Sequence, residues 1–68
     1  MSFSLKALRV NANLSRLDVL KRLKEEKGIE LAENTLANYE NKTSQPKIDT
    51  AKALASLYGV SVDEIKFS

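Results

Sequence analysis

The sequence predicts an all-α fold, one compact domain of five short helices covering residues 1–68. Three observations support this prediction. Apolar residues recur at spacings of three and four, as on the buried face of a helix, and no useful stretch alternates with the period of a strand. Both glycines follow such a segment, where helices commonly stop. With 68 residues, 43% of them hydrophobic, the chain can build one small core and is too short for two domains.

The first helix is predicted at about Leu5–Val10, where Leu5 and Leu8 would be buried. Met1–Ser4 is expected to be a short flexible lead-in, with Ser4 as a candidate cap. A turn should follow at residues 11–13, because asparagine tolerates left-handed conformations.

The second helix has the clearest start signal. Ser15 is a good N-cap, and Asp18 is a weaker partner for a capping box, three residues further on. Gly28 is expected to end this helix in a left-handed conformation. Leu17 lies off the apolar stripe, which consists of Val19, Leu20 and Leu23.

Three further helices are predicted in the second half. The third covers about residues 33–40 and is followed by a polar loop up to Pro46. The fourth runs from Ile48 to residue 57 or 58 and stops at Gly59. A capping box starting at Ser61 opens the last, short helix. The residues expected to pack the fourth helix are Ile48, Ala51, Leu54, Ala55 and Tyr58.

Composition argues against several classes of function. The chain has no cysteine and no histidine, which removes thiol catalysis, Cys/His zinc sites and the usual histidine base. We therefore expect neither an enzyme, nor a metal site, nor a cofactor. Eleven basic and nine acidic residues give a formal charge of +2, which alone is weak support for a nucleic-acid partner. No apolar run reaches the ~20 residues that span a bilayer, so a cytoplasmic protein is expected.

The third helix has an unusual polar face. Leu36 and Tyr39 fall on one side, while short amide, hydroxyl and methyl side chains cover the other. A solvated face in this chain would be expected to carry Lys and Glu instead. Short amides and hydroxyls favour close approach to base edges in a DNA groove. The alternative is a polar helix face without a partner.

The order of these parts resembles the Cro and phage-repressor type of helix-turn-helix regulators. The resemblance covers almost the whole chain, and it implies a lambda-repressor-like fold whose third helix enters the major groove of double-stranded DNA. The residues that carry the resemblance are Asn13-Leu14-Ser15, the apolar stripe of the second helix, the run from Thr35 to Asn41, Pro46, and the run from Leu57 to Ile65.

The chain departs from the family pattern in two ways. Lys24–Glu30 makes the joint between the second and third helices longer by about six residues than the usual tight turn. We interpret this as a longer second helix. In addition, Arg16 stands where Gln is frequent, and Ala32 stands where Ser or Thr usually caps the third helix, a cap worth about 1 kcal/mol.

The resemblance implies three groups of site residues and one ion pair, Arg9 with Glu40. Base-edge contacts are expected from Glu33, Asn34, Thr35, Ala37 and Asn38. Phosphate contacts are expected from Ser15, Arg16, Asn41, Lys42, Thr43 and Ser44. A two-fold dimer interface is expected from Val62, Ile65 and Phe67, although Phe67 could instead fold back over the first helix.

These expectations together describe a sequence-specific, double-stranded DNA-binding transcription regulator. It would be a repressor of phage or mobile-element type that binds a palindromic operator as a homodimer. The alternative is a protein-interaction module, antitoxin-like or anti-repressor, which the modest charge and the acidic Glu33 favour slightly.

Overall fold

The computed structural model describes residues 2–67. Within that range the chain forms four α-helices, one 3-10 helix and two short strands. In chain order they are β1 (Phe3–Ser4), α1 (Leu5–Asn11), α2 (Arg16–Lys27), α3 (Glu33–Glu40), α4 (Ile48–Tyr58), the 3-10 helix (Val62–Glu64) and β2 (Ile65–Lys66). The mainly helical fold is confirmed, but the prediction of five helices without strands is wrong.

Both corrections concern the two ends of the described chain. The capping box between Ser61 and Glu64 forms as predicted, but it starts a single 3-10 turn. The backbone is extended at Ile65, and β2 pairs in parallel with β1, with Phe3 opposite Ile65. Phe3 and Ser4 are therefore ordered in a strand and are not a flexible lead-in. Strands of two residues are too short to show an alternating pattern.

The predicted helix boundaries at Ser15 and Gly28 are confirmed. The Ser15 hydroxyl accepts a hydrogen bond from the Asp18 amide at 3.0 Å, and the Asp18 carboxylate accepts one from the Ser15 amide at 2.9 Å. Gly28 has φ of +67°, a conformation that costs an L-residue free energy but not glycine. Ser4 caps α1 by accepting a hydrogen bond from the Ala7 amide.

The core lies between the helices, with α2 packed against both α3 and α4. Its residues are Leu5, Leu8, Val19, Leu23, Leu36, Ala53, Leu54, Ala55 and Ile65. Ile48 was predicted to pack, but it is 60% exposed, since it is the first residue of α4 and lies at the end of the helix. Leu17, which the pattern placed off the apolar stripe, is 64% exposed.

As predicted, the additional residues between α2 and α3 lengthen the second helix, and α2 continues to Lys27. Lys27, in the last turn of α2, donates a hydrogen bond to the Ser56 hydroxyl of α4 at 2.9 Å. After Gly28 the Ile29 amide donates back to the Leu23 carbonyl, and Ile29 and Leu31 pack against the core. The additional residues are therefore attached to the rest of the domain. No helix within residues 2–67 is long and apolar enough to cross a membrane.

Acid should weaken the cap of α2. The hydrogen bonds from Ser15 lower the pKa of Asp18 below its usual 3.8. A carboxyl whose pKa is lower in the folded state stabilises the fold above its unfolded pKa, and this stabilisation is lost as pH falls through the folded pKa. Asp18→Asn should therefore reduce the urea midpoint at pH 7 and flatten its decline below about pH 4. Asp63→Asn, which removes the same charge from the 3-10 helix, is the control; equal acid profiles for both variants would contradict the assignment.

Candidate nucleic-acid interface

Helix α3 turns its polar face outward, as the sequence predicted. Leu36 and Glu40 are its buried residues, and they lie one turn apart on the side that faces the core. Glu33, Asn34 and Asn38 are exposed. Thr35 and Ala37 are half-buried. All five residues expected to touch base edges thus retain accessible surface, and the two asparagines are not covered by the extended joint.

The start of α3 has no side-chain cap. Ala32 occupies the N-cap position, and no side chain accepts a hydrogen bond from the first turn there. The Ala32 carbonyl accepts from the amides of both Thr35 and Leu36, at 3.1 and 3.2 Å. The amides of Glu33 and Asn34, which precede them, lie in the first turn, where N–H groups have no acceptor within the helix. They are available to water or to a ligand.

The loop after α3 is folded against the helix end. The Thr43 amide and hydroxyl both donate to the Asn38 carbonyl, at 3.0 and 3.2 Å. Thr43 therefore has both of its donors in use, which leaves none for a phosphate oxygen. Asn41, Lys42 and Ser44 are exposed. The prediction that the whole loop binds phosphate did not foresee this structural role of Thr43.

Lys42 has φ of +63°, in the left-handed region. A side chain with a Cβ atom costs about 1–2 kcal/mol there compared with the right-handed region. The backbone at Lys42 is thus strained, and its long basic side chain is exposed beside α3.

At the start of α2, the two predicted phosphate contacts have different environments. The Ser15 hydroxyl caps the helix as an acceptor, which leaves its proton available for donation. Arg16 is half-buried, and its Nε donates to Glu40 Oε1 at 3.2 Å. The sequence predicted that Ser15 caps α2, but it did not predict the contact between Arg16 and Glu40.

Glu40 joins three helices through one carboxylate. Its side chain is completely buried, and it accepts from Arg9 Nε at 2.7 Å and from Arg9 Nη2 at 3.2 Å as well as from Arg16. The predicted pair between Arg9 and Glu40 is confirmed. The hydrogen bonds to Glu40 raise the pKa of the Arg9 guanidinium above its ordinary value. This cluster attaches the last residue of α3 to α1 and to the first residue of α2.

Tyr58 lies beside this cluster. Its hydroxyl is buried, and no hydrogen-bond partner for it exists among the described residues. Burial, with a smaller contribution from Glu40, raises the pKa of Tyr58 to about 12. The phenol is therefore neutral at physiological pH.

The residues expected at a dimer interface belong to the core of the single chain or pack against it. Ile65 is buried, and Val62 and Phe67 are half-buried and pack against the core. Phe3 and Leu5 belong to the same apolar assembly, so the end of the chain does fold back over its beginning. Of the three predicted interface residues, Val62 and Phe67 retain surface that a second copy could cover.

A comparison with protein-family models shows to which family this chain belongs. The family model described as helix-turn-helix, of the Cro/C1 type, matches residues 5–65. The chain belongs to this helix-turn-helix family. Comparison with curated proteins and with solved structures found no significant match. The helix-turn-helix of this chain is formed by α2 and α3, and membership supports a DNA-binding regulator.

Strain and charge at Lys42 can be separated by two substitutions. Lys42→Gly should raise the free energy of unfolding by about 1 kcal/mol, because glycine adopts the left-handed conformation without the cost of a Cβ. Lys42→Ala keeps the Cβ and should leave stability nearly unchanged. Both remove one positive charge, so each should reduce the salt dependence of DNA binding by about one unit of log–log slope. Urea unfolding and fluorescence anisotropy measure the two effects; equal stabilities for the two variants would show that the backbone is unstrained.

Proposed function

We propose that this helix-turn-helix protein is a sequence-specific transcription regulator that reads the major groove of double-stranded DNA with α3. It acts in the cytoplasm as a repressor of phage or mobile-element type. The observation that carries the proposal is the exposed polar face of α3, with a basic residue on each flank: Arg16 at the start of α2 and Lys42 after α3.

The side chains on α3 suit base edges. Asn34 and Asn38 lie four residues apart and so occupy neighbouring positions on one helix face. An asparagine amide can donate and accept at once, which matches N7 and N6 of adenine. Ala37 permits close approach and offers a methyl group to thymine. Glu33 makes no ion pair among the described residues, so its carboxylate is available to accept from cytosine N4.

Phosphate contacts would come from both sides of α3. Arg16 and the Ser15 hydroxyl provide donors at the start of α2, where unpaired amides and the helix dipole favour anions. Asn41, Lys42 and Ser44 provide donors in the loop after α3. Thr43 orders this loop and is not among the proposed donors.

A homodimer on a palindromic operator fits the size of the domain. The longest dimension of the chain is 28 Å. The major groove returns to the same face of the duplex about every 34 Å, so one copy can present α3 to only one half-site. Two copies related by a two-fold axis would read both half-sites. Val62 and Phe67 are the proposed contact residues.

Selection of bound duplexes from a random pool, followed by sequencing, tests sequence-specific binding. We expect an enriched palindrome. Asn34→Ala and Asn38→Ala should each weaken binding to it by about 1–3 kcal/mol and relax the preference at one position of each half-site. Asn11→Ala removes an exposed amide from α1 and is the matched control. Equal affinity for all duplexes, unaltered by either change on α3, would refute base reading.

A protein-interaction module is the second candidate. Within residues 2–67, three large apolar side chains are more than half exposed: Val10, Leu17 and Ile48. Leu17 follows Arg16 directly in the first turn of α2 and is the most exposed of the three. If selection enriched no sequence, the module would be the better explanation of these residues.

A further inference from the structure

The two arginines around Glu40 are satisfied unequally. Arg9 donates from all three nitrogens, to both Glu40 oxygens and, through Nη1, to the Leu14 carbonyl at 3.0 Å. Arg16 donates from Nε alone, and no acceptor for its two Nη groups exists within residues 2–67. The Arg9 side chain is 13% exposed and that of Arg16 is 32% exposed. Every guanidinium nitrogen of Arg9 thus has a partner, whereas both Nη groups of Arg16 have none within the described residues.

The charges of the cluster are also unequal. Two guanidinium groups surround one carboxylate, which leaves a formal charge of +1 beside a buried group. Tyr58 is the neighbouring acid, but with a pKa of about 12 it stays neutral and cannot balance this charge. The cluster therefore carries a net positive charge on the side of Arg16.

We propose that Glu40 is a positioning residue for DNA binding. It holds Nε of Arg16 so that both Nη groups meet one phosphate of the duplex, and this phosphate neutralises the net positive charge of the cluster. A guanidinium with two free Nη groups has the fork geometry that binds phosphate through two hydrogen bonds. The inference rests on the proposed function, because it assigns a geometry to one of the contacts proposed there.

The arrangement links the phosphate contact to base reading. Arg16 is the first residue of α2 and Glu40 is the last residue of α3. A phosphate bound by Arg16 is thereby placed at a defined position relative to the helix that carries Asn34 and Asn38. The contact would set the position of α3 in the groove, not only the affinity.

Two substitutions at Arg16 and one control test the contact. Fluorescence anisotropy would measure binding to the selected duplex and to a scrambled duplex of equal length, at roughly 50 to 200 mM KCl. Arg16→Gln should weaken binding to both about tenfold and lower the log–log salt slope by about 0.9. Arg16→Lys should keep the slope but lose most of the affinity, since an ammonium group cannot bridge Glu40 and phosphate as a fork. Lys24→Gln removes the same charge about 12 Å further along α2 and should leave the slope unchanged.

A purely structural Arg16 predicts a different result. Arg16→Gln would then lower the free energy of unfolding in urea while the salt slope stayed as in the wild type, and the proposal would be overturned. Wild-type affinity in Arg16→Lys would overturn it as well. If the wild type bound neither duplex, the proposed function itself would fail; if it bound both and Arg16→Gln matched it, only this inference would fail.

The role of Glu40 is tested by a double-mutant cycle. In a Glu40→Gln background, Arg16→Gln should cost below about twofold in affinity, because the positioning is already lost. Costs that multiply would show that Arg16 acts without Glu40. Should Glu40→Gln fail to fold, NMR of the wild type gives the same test. The Arg16 Nε–Hε proton should be protected from water before DNA is added, and rotation of its Nη groups should slow afterwards; an unprotected proton, unaltered by DNA, would refute the positioning.

Discussion

The orientation of the whole candidate interface depends on one buried carboxylate. Glu40 is the point at which α1, α2 and α3 meet, and its side chain has no exposed surface. Removing one partner of a buried ion pair costs about 3–5 kcal/mol, because the remaining charge is left without compensation. Together with Leu36 one turn earlier, Glu40 binds one side of α3 to the core. The opposite side is then exposed by necessity, and its amides become available to a partner.

The sequence predicted the features that depend on local chemistry. Ser15 and Asp18 form a capping box within four residues, and Gly28 ends the helix from a single position. Both signals act through neighbouring backbone groups and therefore do not depend on the rest of the fold. The outward face of α3 followed from periodicity alone. The pair of Arg9 with Glu40 spans the fold, and it was predicted through the family resemblance.

The roles of three side chains were missed. Arg16 reaches Glu40 only because α2 begins beside the end of α3, and no spacing in the chain shows this. Ile48 fits the apolar period of its helix, yet its position at the helix end exposes it. Thr43 has the composition of a phosphate-binding residue, but its donors close the end of α3. Arg16 was given an incomplete role because its acceptor lies 24 residues away along the chain. Thr43 and Ile48 were misjudged because the course of the backbone at a helix end decides what their side chains contact.

The parallel pairing of β1 with β2 has a consequence for how the domain assembles. Phe3 and Ile65 lie 62 positions apart along the chain, so pairing them closes nearly all of it into a single loop. Closing so long a loop costs conformational entropy that two residues of ladder cannot offset. The free energy that stabilises this pairing must come from the burial of Ile65 in the core. The strand pairing and the burial of Ile65 should therefore form together, late in folding, and should be lost together.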